Sequence, residues 1–510
     1  MFTNLPGLKD PRAVYWYAIG ASLLLSFYIA CRETVINADA ICYLQSASTI
    51  GQSGLYTAMH LCDQAQWPFY SILIFLATKL SFLPPEVAAF SLDAIFSALS
   101  VFTFVTIVRQ LGGSQRVLWL AAMVILLAHE FNSVRQYIVR DHGFFAFYLL
   151  SISFFLRYLN IPGWINALSW SASLFVATLF RIEGAIFLLL IPFALGLFRT
   201  LSYRQRVLGF LQLNAPLFIV GFAGFGWLIF HPEISLSSLG RMQDLVFQIF
   251  HAGGLVWQRF QASSTALAQS VLTTDSVHEA PWVFFLTLVA WYISSVVVNL
   301  SVIYSGLVIY AIMGKALRLK PASRLALGAY LLTNFLITAL FLAERLFLSK
   351  RYLIALSLLL MLWVPFALDK LIEAWKMQRL PKMAKPLVII GLAVSSLGGI
   401  FDFGYSKAYL HQAGTWLAEN VRHDQSIYSN DYHVMYYSNH FGNDIFTKFH
   451  EYTDSNFNKS KHPKRFDYLA LQWSKKDLPD NMAELAKPNL KLVKVFSNRR
   501  GDQVRIYKGI

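Results

Sequence analysis

W67-P-F-Y-S-I-L-I-F-L-A-T-K-L-S-F-L83 is the stretch on which the topology of this chain turns. It is apolar, carries Lys79 near its end and is followed by Pro84 and Pro85. Two readings compete. If it crosses the membrane, the basic loop R109-Q-L-G-G-S-Q-R116 falls outside, against the tendency of cytoplasmic loops to hold Lys and Arg. If it lies along the interface, or dips in and returns, that loop falls inside. We adopt the second reading, because every later basic loop then falls inside as well.

Working outward, residues 13–31 read as a first crossing and a retained signal anchor, with the basic N-terminus inside. Residues 32–86 become the first outer loop, holding Arg32, Glu33, Asp39 and Asp63. Downstream, 87–108 returns inward, and 117–133 and 143–159 flank the outer turn V134-R-Q-Y-I-V-R-D-H142. Segments 165–180 and 184–198 flank F180-R-I-E-G184, also outside. Basic stretches 198–206, 313–324 and 370–386 fall inside. Segment 207–230 leads to a long outer loop, 231–280, and 281–312 crosses back, longer than one span needs. Segments 325–343 and 353–368 flank the outer turn A343-E-R-L-F-L-S-K-R-Y352, and 387–403 delivers the tail outside. The expectation is an α-helical polytopic membrane protein with about eleven spans, residues 1–403, followed by a C-terminal soluble α/β domain, residues 404–510.

Composition agrees. Of 510 residues, 56% are apolar, 15% aromatic and only 14% charged, against about 25% charged in soluble domains. The net charge of +15 does not point to nucleic acid, since the basic residues gather in short loops between apolar runs. The tail differs: 408–421 reads as a helix, and S426-I-Y-S-N430, F466-D-Y-L-A-L-Q472 and L492-V-K-V-F496 as strands. R499-R-G-D-Q-V-R-I-Y507 reads as a closing hairpin around Gly501. It holds no phosphate-cradling glycine loop, His-Glu metal motif or nucleophile elbow.

Two of the three cysteines, Cys42 and Cys62, lie on the outer side, where they either pair in an oxidising compartment or stay free in a packed loop. His60, Cys62 and Asp63 form only a weak metal-like cluster, without a second cluster at ligand spacing. A divalent cation stays optional, with no ligand set to support one.

With the inner charges explained by orientation, the informative ones are the outer set: Asp39, Arg135, Arg140, Asp141, His142, Arg181, Glu183, Glu344, Arg345, Lys350 and Arg351. Ionisable groups at membrane depth suggest function by default. Transfer of a sugar from a lipid phosphate needs a carboxylate to take the acceptor's proton and basic groups to hold the leaving phosphate. A set with both signs, at helix ends in several turns, supplies both. Other readings stand beside it: Arg140–Asp141 and Arg181–Glu183 as structural ion pairs, and Lys350 and Arg351 snorkelling to headgroups. Asp39 lies among small and apolar residues, with no basic neighbour nearer than Arg32.

At these residues the chain resembles the GT-C superfamily of polyprenyl-phosphate-sugar-dependent glycosyltransferases, in the protein O-mannosyltransferase and aminoarabinose transferase group. The family's first outer loop carries an acidic residue in a D-x-x-x-Y-like pattern, then an Ala-rich helix and a Gly-Tyr turn. Here these are Asp39, Tyr43, Ala47 and G54-L-Y56. W67-P-F-Y70 is similar to its proline-led interfacial helix, R140-D-H142 to its second acidic loop, and K350-R-Y-L-I-A-L356 to its late basic turn. Where the family often has an acidic pair, this chain has Ala40 beside Asp39.

The resemblance implies Asp39 and Asp141 as catalytic carboxylates, with Asp39 the general base. Tyr43, Arg140, His142, Arg181, Glu183, Lys350 and Arg351 are the substrate-binding candidates. It implies an inverting GT-C glycosyltransferase with a polyprenyl-phosphate-linked sugar donor, membrane lipids around it, and a lipid, glycan or protein acceptor on the outer side. No cofactor is required. The rivals are a transporter or flippase for a lipid-linked sugar, which would favour internal repeats, and a polysaccharide polymerase or ligase, whose site would sit in the 231–280 loop. One glycosylation sequon in the outer domain, Asn458-Lys-Ser460, and no retention signal at its end favour a bacterial inner membrane, with the N-terminus cytoplasmic and the tail periplasmic or extracellular.

Overall fold

The computed structural model describes residues 10, 12–198, 201–230, 241–379, 383–401, 404–454, 466–476 and 490–509. The Asn458 sequon, residues 231–240 of the long loop and parts of the basic stretches 198–206 and 370–386 lie outside the described residues.

Helices dominate, as alternating apolar runs and short basic loops require when backbone groups must be satisfied within each segment. Among the described residues, seven helices are long and apolar enough to cross a membrane, eight if a bent pair counts as one. The seven are Ala13–Arg32, Pro85–Gln110, Asp141–Asn160, Tyr203–Gly224, Thr274–Leu300, Pro321–Arg345 and Lys350–Lys376; the pair is Gln115–Leu126 with His129–Gln136, bent by 52°. The chain is thus a polytopic α-helical membrane protein with a small α/β region at its C-terminal end. The remaining expected crossings, 165–180, 184–198 and 387–403, are shorter apolar helices. The expected single segment 281–312 is broken. Ser301 takes a positive φ of 72° and its hydroxyl caps the next helix by accepting from the Tyr304 amide, so Ala280–Leu300 and Val302–Met313 are separate.

The deciding stretch forms the helix Phe69–Ser81, 13 residues long. At 1.5 Å per residue it extends roughly 20 Å, short of a hydrocarbon core of about 30 Å. It ends at Phe82 in the left-handed region, φ 58°, just before the two prolines, which cannot continue a helix.

Packing divides the chain into two compact units: Met1–Phe27, Asp93–Arg135 and Arg140–Phe401 in the first, and Tyr28–Leu92, Gln136–Val139 and Asp402–Ile510 in the second. The helical unit buries its polar groups in pairs. The Tyr330 hydroxyl accepts from the Trp170 indole at 3.0 Å and bonds Ser151 at 2.8 Å, and Asn334 donates to the Tyr148 hydroxyl at 2.6 Å. Such bonds between helices satisfy groups that lipid cannot.

In the second unit β1 (Ile427–Ser429), β2 (Tyr468–Trp473), β3 (Leu490–Ser497) and β4 (Gln503–Gly509) form one sheet in the order β1-β2-β4-β3. The β1–β2 pair is parallel and the others antiparallel, with β3 and β4 the expected hairpin and Gly501 at φ 99° in its turn. Alternation along the strands sorts the two faces. Ala470, Val504 and Ile506 pack on Leu410, Ala413 and Leu417 of the helix Ala408–Asn420, while Leu469, Leu471 and Tyr507 cluster with Tyr428 on the other face. Two helices missed in the sequence complete this region, Tyr432–Tyr437 and Ile445–Asp454. The grouping by packing cuts the chain elsewhere than the compositional boundary at 403, because first-loop residues bond to the tail: the Ile36 amide donates to the Tyr437 hydroxyl at 3.0 Å, and the Tyr436 hydroxyl to Glu86 at 3.0 Å.

Candidate functional site

In the helical unit Arg181 is the centre of a buried polar cluster. It follows the helix Trp164–Phe180 in extended backbone and precedes the helix that opens at Glu183. It is 6% exposed, and Asp141, in the first turn of Asp141–Asn160, is 3% exposed. Nη1 of Arg181 pairs with Asp141, while Nε and Nη2 donate to the two oxygens of Glu183. The guanidinium also lies 4.6 Å from the Tyr352 ring centroid and 5.6 Å from that of Phe144, where a cation gains from the ring face.

Two glycines permit this approach. A Cβ at Gly143 would fall 2.3 Å from ring atoms of Phe180, and one at Gly184 would fall 2.6 Å from the Thr178 backbone nitrogen. The residues flanking Asp141 and Arg181 therefore pack at distances only glycine allows. Arg140 and Arg351 act electrostatically on Asp141 as well, and Arg140 on Glu183. Arg181 alone pairs with both carboxylates, and Arg140 and Arg351 add positive charge to their surroundings.

The other expected residues are distributed differently. His142 is buried; with Nε2–H donating to the Val134 carbonyl at 3.1 Å, its Nδ1 is left to accept from the Ser97 hydroxyl at 3.1 Å. It ties its helix to the turn that precedes it. Lys350 and Arg351 part company. Lys350 Nζ donates to Glu130 at 2.7 Å, and its carbonyl accepts from Asn299, itself bonded to Ser357. Arg135 is buried among neutral partners, donating to Ser22, Ser26 and Asn132. Glu344 and Arg345 pair with each other at 3.3 Å.

Sequence reasoning passed over Glu130, Asn299 and Tyr352. An acid at the end of the apolar run 117–133 was the signal for Glu130, because a carboxylate there needs a partner. Beside it an open apolar groove of about 720 Å³ runs along the helical unit, lined by residues that include His129, Ser301, Ile303, Tyr310, Val388 and Val394.

Asp39 belongs to the second unit. It lies in the first turn of the helix Ala38–Met59, which is broken at Gly54, φ 87°, where the Gly-Tyr turn was expected. The backbone dipoles of that turn favour a carboxylate, and Gln64 Nε2 donates to it at 3.1 Å. Cys42 and Cys62 form a disulfide, so the loop bearing Gln64 is linked covalently to the helix bearing Asp39. The bond also removes Cys62 from the His60–Cys62–Asp63 cluster, and His60 Nδ1 is bonded to the Tyr56 carbonyl. Among the described residues no group of three or more His, Cys, Asp or Glu side chains is placed to hold a metal. Tyr43 is 3% exposed, with its ring edge-on to Tyr70 at 5.0 Å. Burial pushes the Tyr437 hydroxyl up to about 12, so it stays neutral where it meets Ile36.

The class these features define is a polytopic helical membrane protein with buried charge clusters at the ends of its helices. No family model matches the sequence, and no curated protein matches it. Among solved structures the chain is similar to ArnT from Cupriavidus metallidurans in the apo state, at 13% identity, over 96% of this chain and 97% of that one, with a TM-score of 0.40. A likeness at that score says nothing of what this chain acts on.

Proposed function

We propose that the protein is an integral membrane glycosyltransferase of the GT-C type. It would move a sugar from a polyprenyl-phosphate donor to a lipid, glycan or protein acceptor on the outer side of a bacterial inner membrane. The observation that carries the reading is the Arg181 centre: a buried guanidinium paired with Asp141 and Glu183 at helix ends inside an otherwise apolar body. A leaving phosphate needs such a centre. Arg140, Arg181 and Arg351 take the phosphate oxygens, and Asp141 and Glu183 hold the guanidiniums in place. Lys350 is a further candidate from its pair with Glu130. The apolar groove suits the chain of a lipid donor, and the Cys42–Cys62 disulfide suits a first loop in an oxidising compartment.

In the proposed reaction the acceptor O–H gives its proton to the Asp39 carboxylate. Its oxygen attacks the anomeric carbon, and the bond from that carbon to the phosphate oxygen breaks, the electron pair leaving with polyprenyl phosphate. One displacement inverts the anomeric centre. The test is Asp39→Asn in proteoliposomes given a radiolabelled polyprenyl-phosphate hexose and a cell-envelope extract as acceptor source. Release of polyprenyl phosphate should fall by 100-fold or more, in line with the roughly 10²–10⁴ supplied by a general base, in protein that inserts and folds normally. Turnover near that of the unmodified protein would sink the assignment.

A further inference from the structure

The short segment leading into the Asp39 helix is held from three directions. Ile36 is buried, and its amide donates to the Tyr437 hydroxyl at 3.0 Å, from a helix 401 residues later in the chain. Asn37 occupies the N-cap position but makes no side-chain bond to its own helix. Its amide group instead accepts from the Ile138 amide at 3.0 Å and donates to the Ile138 carbonyl at 3.4 Å. Two residues later Asp39 accepts from Gln64. A carboxylate acting as a base must be fixed to within a fraction of an ångström, and the backbone just before Asp39 is where that constraint is applied.

Tyr437 is itself held firmly. Its helix is capped by Asp431, whose carboxylate accepts from the amides of His433 and Val434 at 2.9 and 3.1 Å. Gly414, on Ala408–Asn420, lets that helix come close enough that a Cβ would fall 2.5 Å from the Tyr437 Cβ and 3.0 Å from the Val434 carbonyl. His411 packs on the Tyr437 ring at 4.3 Å between centroids. On the same helix, Tyr436 donates to Glu86, tying the far end of the first loop to it as well.

We infer that Tyr437 is a positioning residue for Asp39: its hydroxyl accepts the Ile36 amide and so sets where the Asp39 carboxylate stands. The C-terminal region thereby helps set the catalytic geometry. This rests on the reading of Asp39 as the base.

The experiment uses the full chain in proteoliposomes with Tyr437→Phe, which keeps the ring and removes only the acceptor. Hydrogen exchange of the peptide covering residues 33–40 should rise at least tenfold while exchange in β2 and β4 stays unchanged. With the polyprenyl-phosphate hexose probe, kcat should fall tenfold or more at unchanged KM, a split that loss of folded protein alone would not give. If Asp39→Asn is inactive while Tyr437→Phe turns over within twofold of the unmodified protein, the positioning role is overturned and the proposed function stands. If Asp39→Asn stays active, the function falls instead, and the exchange measurement alone decides whether Tyr437 holds the segment. Should Tyr437→Phe fail to fold, the unmodified protein still decides: a slowly exchanging Ile36 amide upholds the bond, and a freely exchanging one overturns it.

Discussion

Arg181 carries two carboxylates on one guanidinium, and nearly all of it is out of water. Replacing it by Met would strand Asp141 and Glu183, and breaking a buried ion pair from one side costs roughly 3–5 kcal/mol. Arg181→Met is therefore expected to lower the thermal unfolding midpoint in detergent sharply. Adding Asp141→Asn and Glu183→Gln should recover most of the loss, since well-packed neutral replacements of a buried pair are often nearly neutral. A triple variant no more stable than the single one would show that Arg181 is held by something else. At this scale the sequence was a good guide to residue type and a poor one to partnership. Arg181, Glu183 and Asp141 stood out because charge in an apolar run is costly. Lys350 and Arg351 looked like one basic turn, yet Lys350 pairs with Glu130 and Arg351 acts on Asp141. Adjacent side chains on a helix point about 100° apart, and spacing alone does not say which acid each will meet.

The elements around Asp39 depend on a covalent link. Cys42 and Cys62 enclose a separation of 20 residues, and in the chain-entropy model closing such a loop stabilises by about 3 kcal/mol. Cys42→Ser with Cys62→Ser should open residues 43–61 to limited proteolysis and reduce sugar transfer. A thiol reagent should label only exposed Cys31 until a reductant is added; labelling of Cys42 or Cys62 beforehand would contradict the pairing. Elements whose hydrophobic period is unbroken were readable in advance: the long apolar helices, the Ala408–Asn420 helix and the β3–β4 hairpin. The helix Tyr432–Tyr437 was not. Its six residues are too few for a period to register, and aromatic-rich Y432-H-V-M-Y-Y437 suits a strand equally well. Its start is set by Asp431, a cap that also fits a turn.

For the whole molecule, the choice about residues 67–83 decides every later orientation. A fluorescent protein inserted at Gly112 should fluoresce, as on the cytoplasmic side, and a phosphatase fused after Gly509 should be active, as on the outer side. An active phosphatase at Gly112 would mean that the 67–83 segment crosses after all. Charge counting proposes an orientation because orientation follows the distribution of Lys and Arg. It could not reach the packing of the first loop with the tail, since nothing in either stretch names the other; the bonds are single ones, from the Tyr436 hydroxyl to the Glu86 carboxylate and from the Ile36 amide to the Tyr437 hydroxyl.

That long-range pairing has a consequence for how the protein comes into being. The unit that holds Asp39 also includes the helix Tyr432–Tyr437 and β4, Gln503–Gly509. Synthesis delivers the first loop well before Tyr437, so the segment at Ile36 waits for its partner until the helices in between have been made and inserted. Contacts of such separation form late and slowly. A chain stalled or clipped before Tyr437 would keep its helices in the membrane but leave the Ile36 amide without that acceptor; on the proposed reading of Asp39 as the base, it would be silent rather than wrongly active.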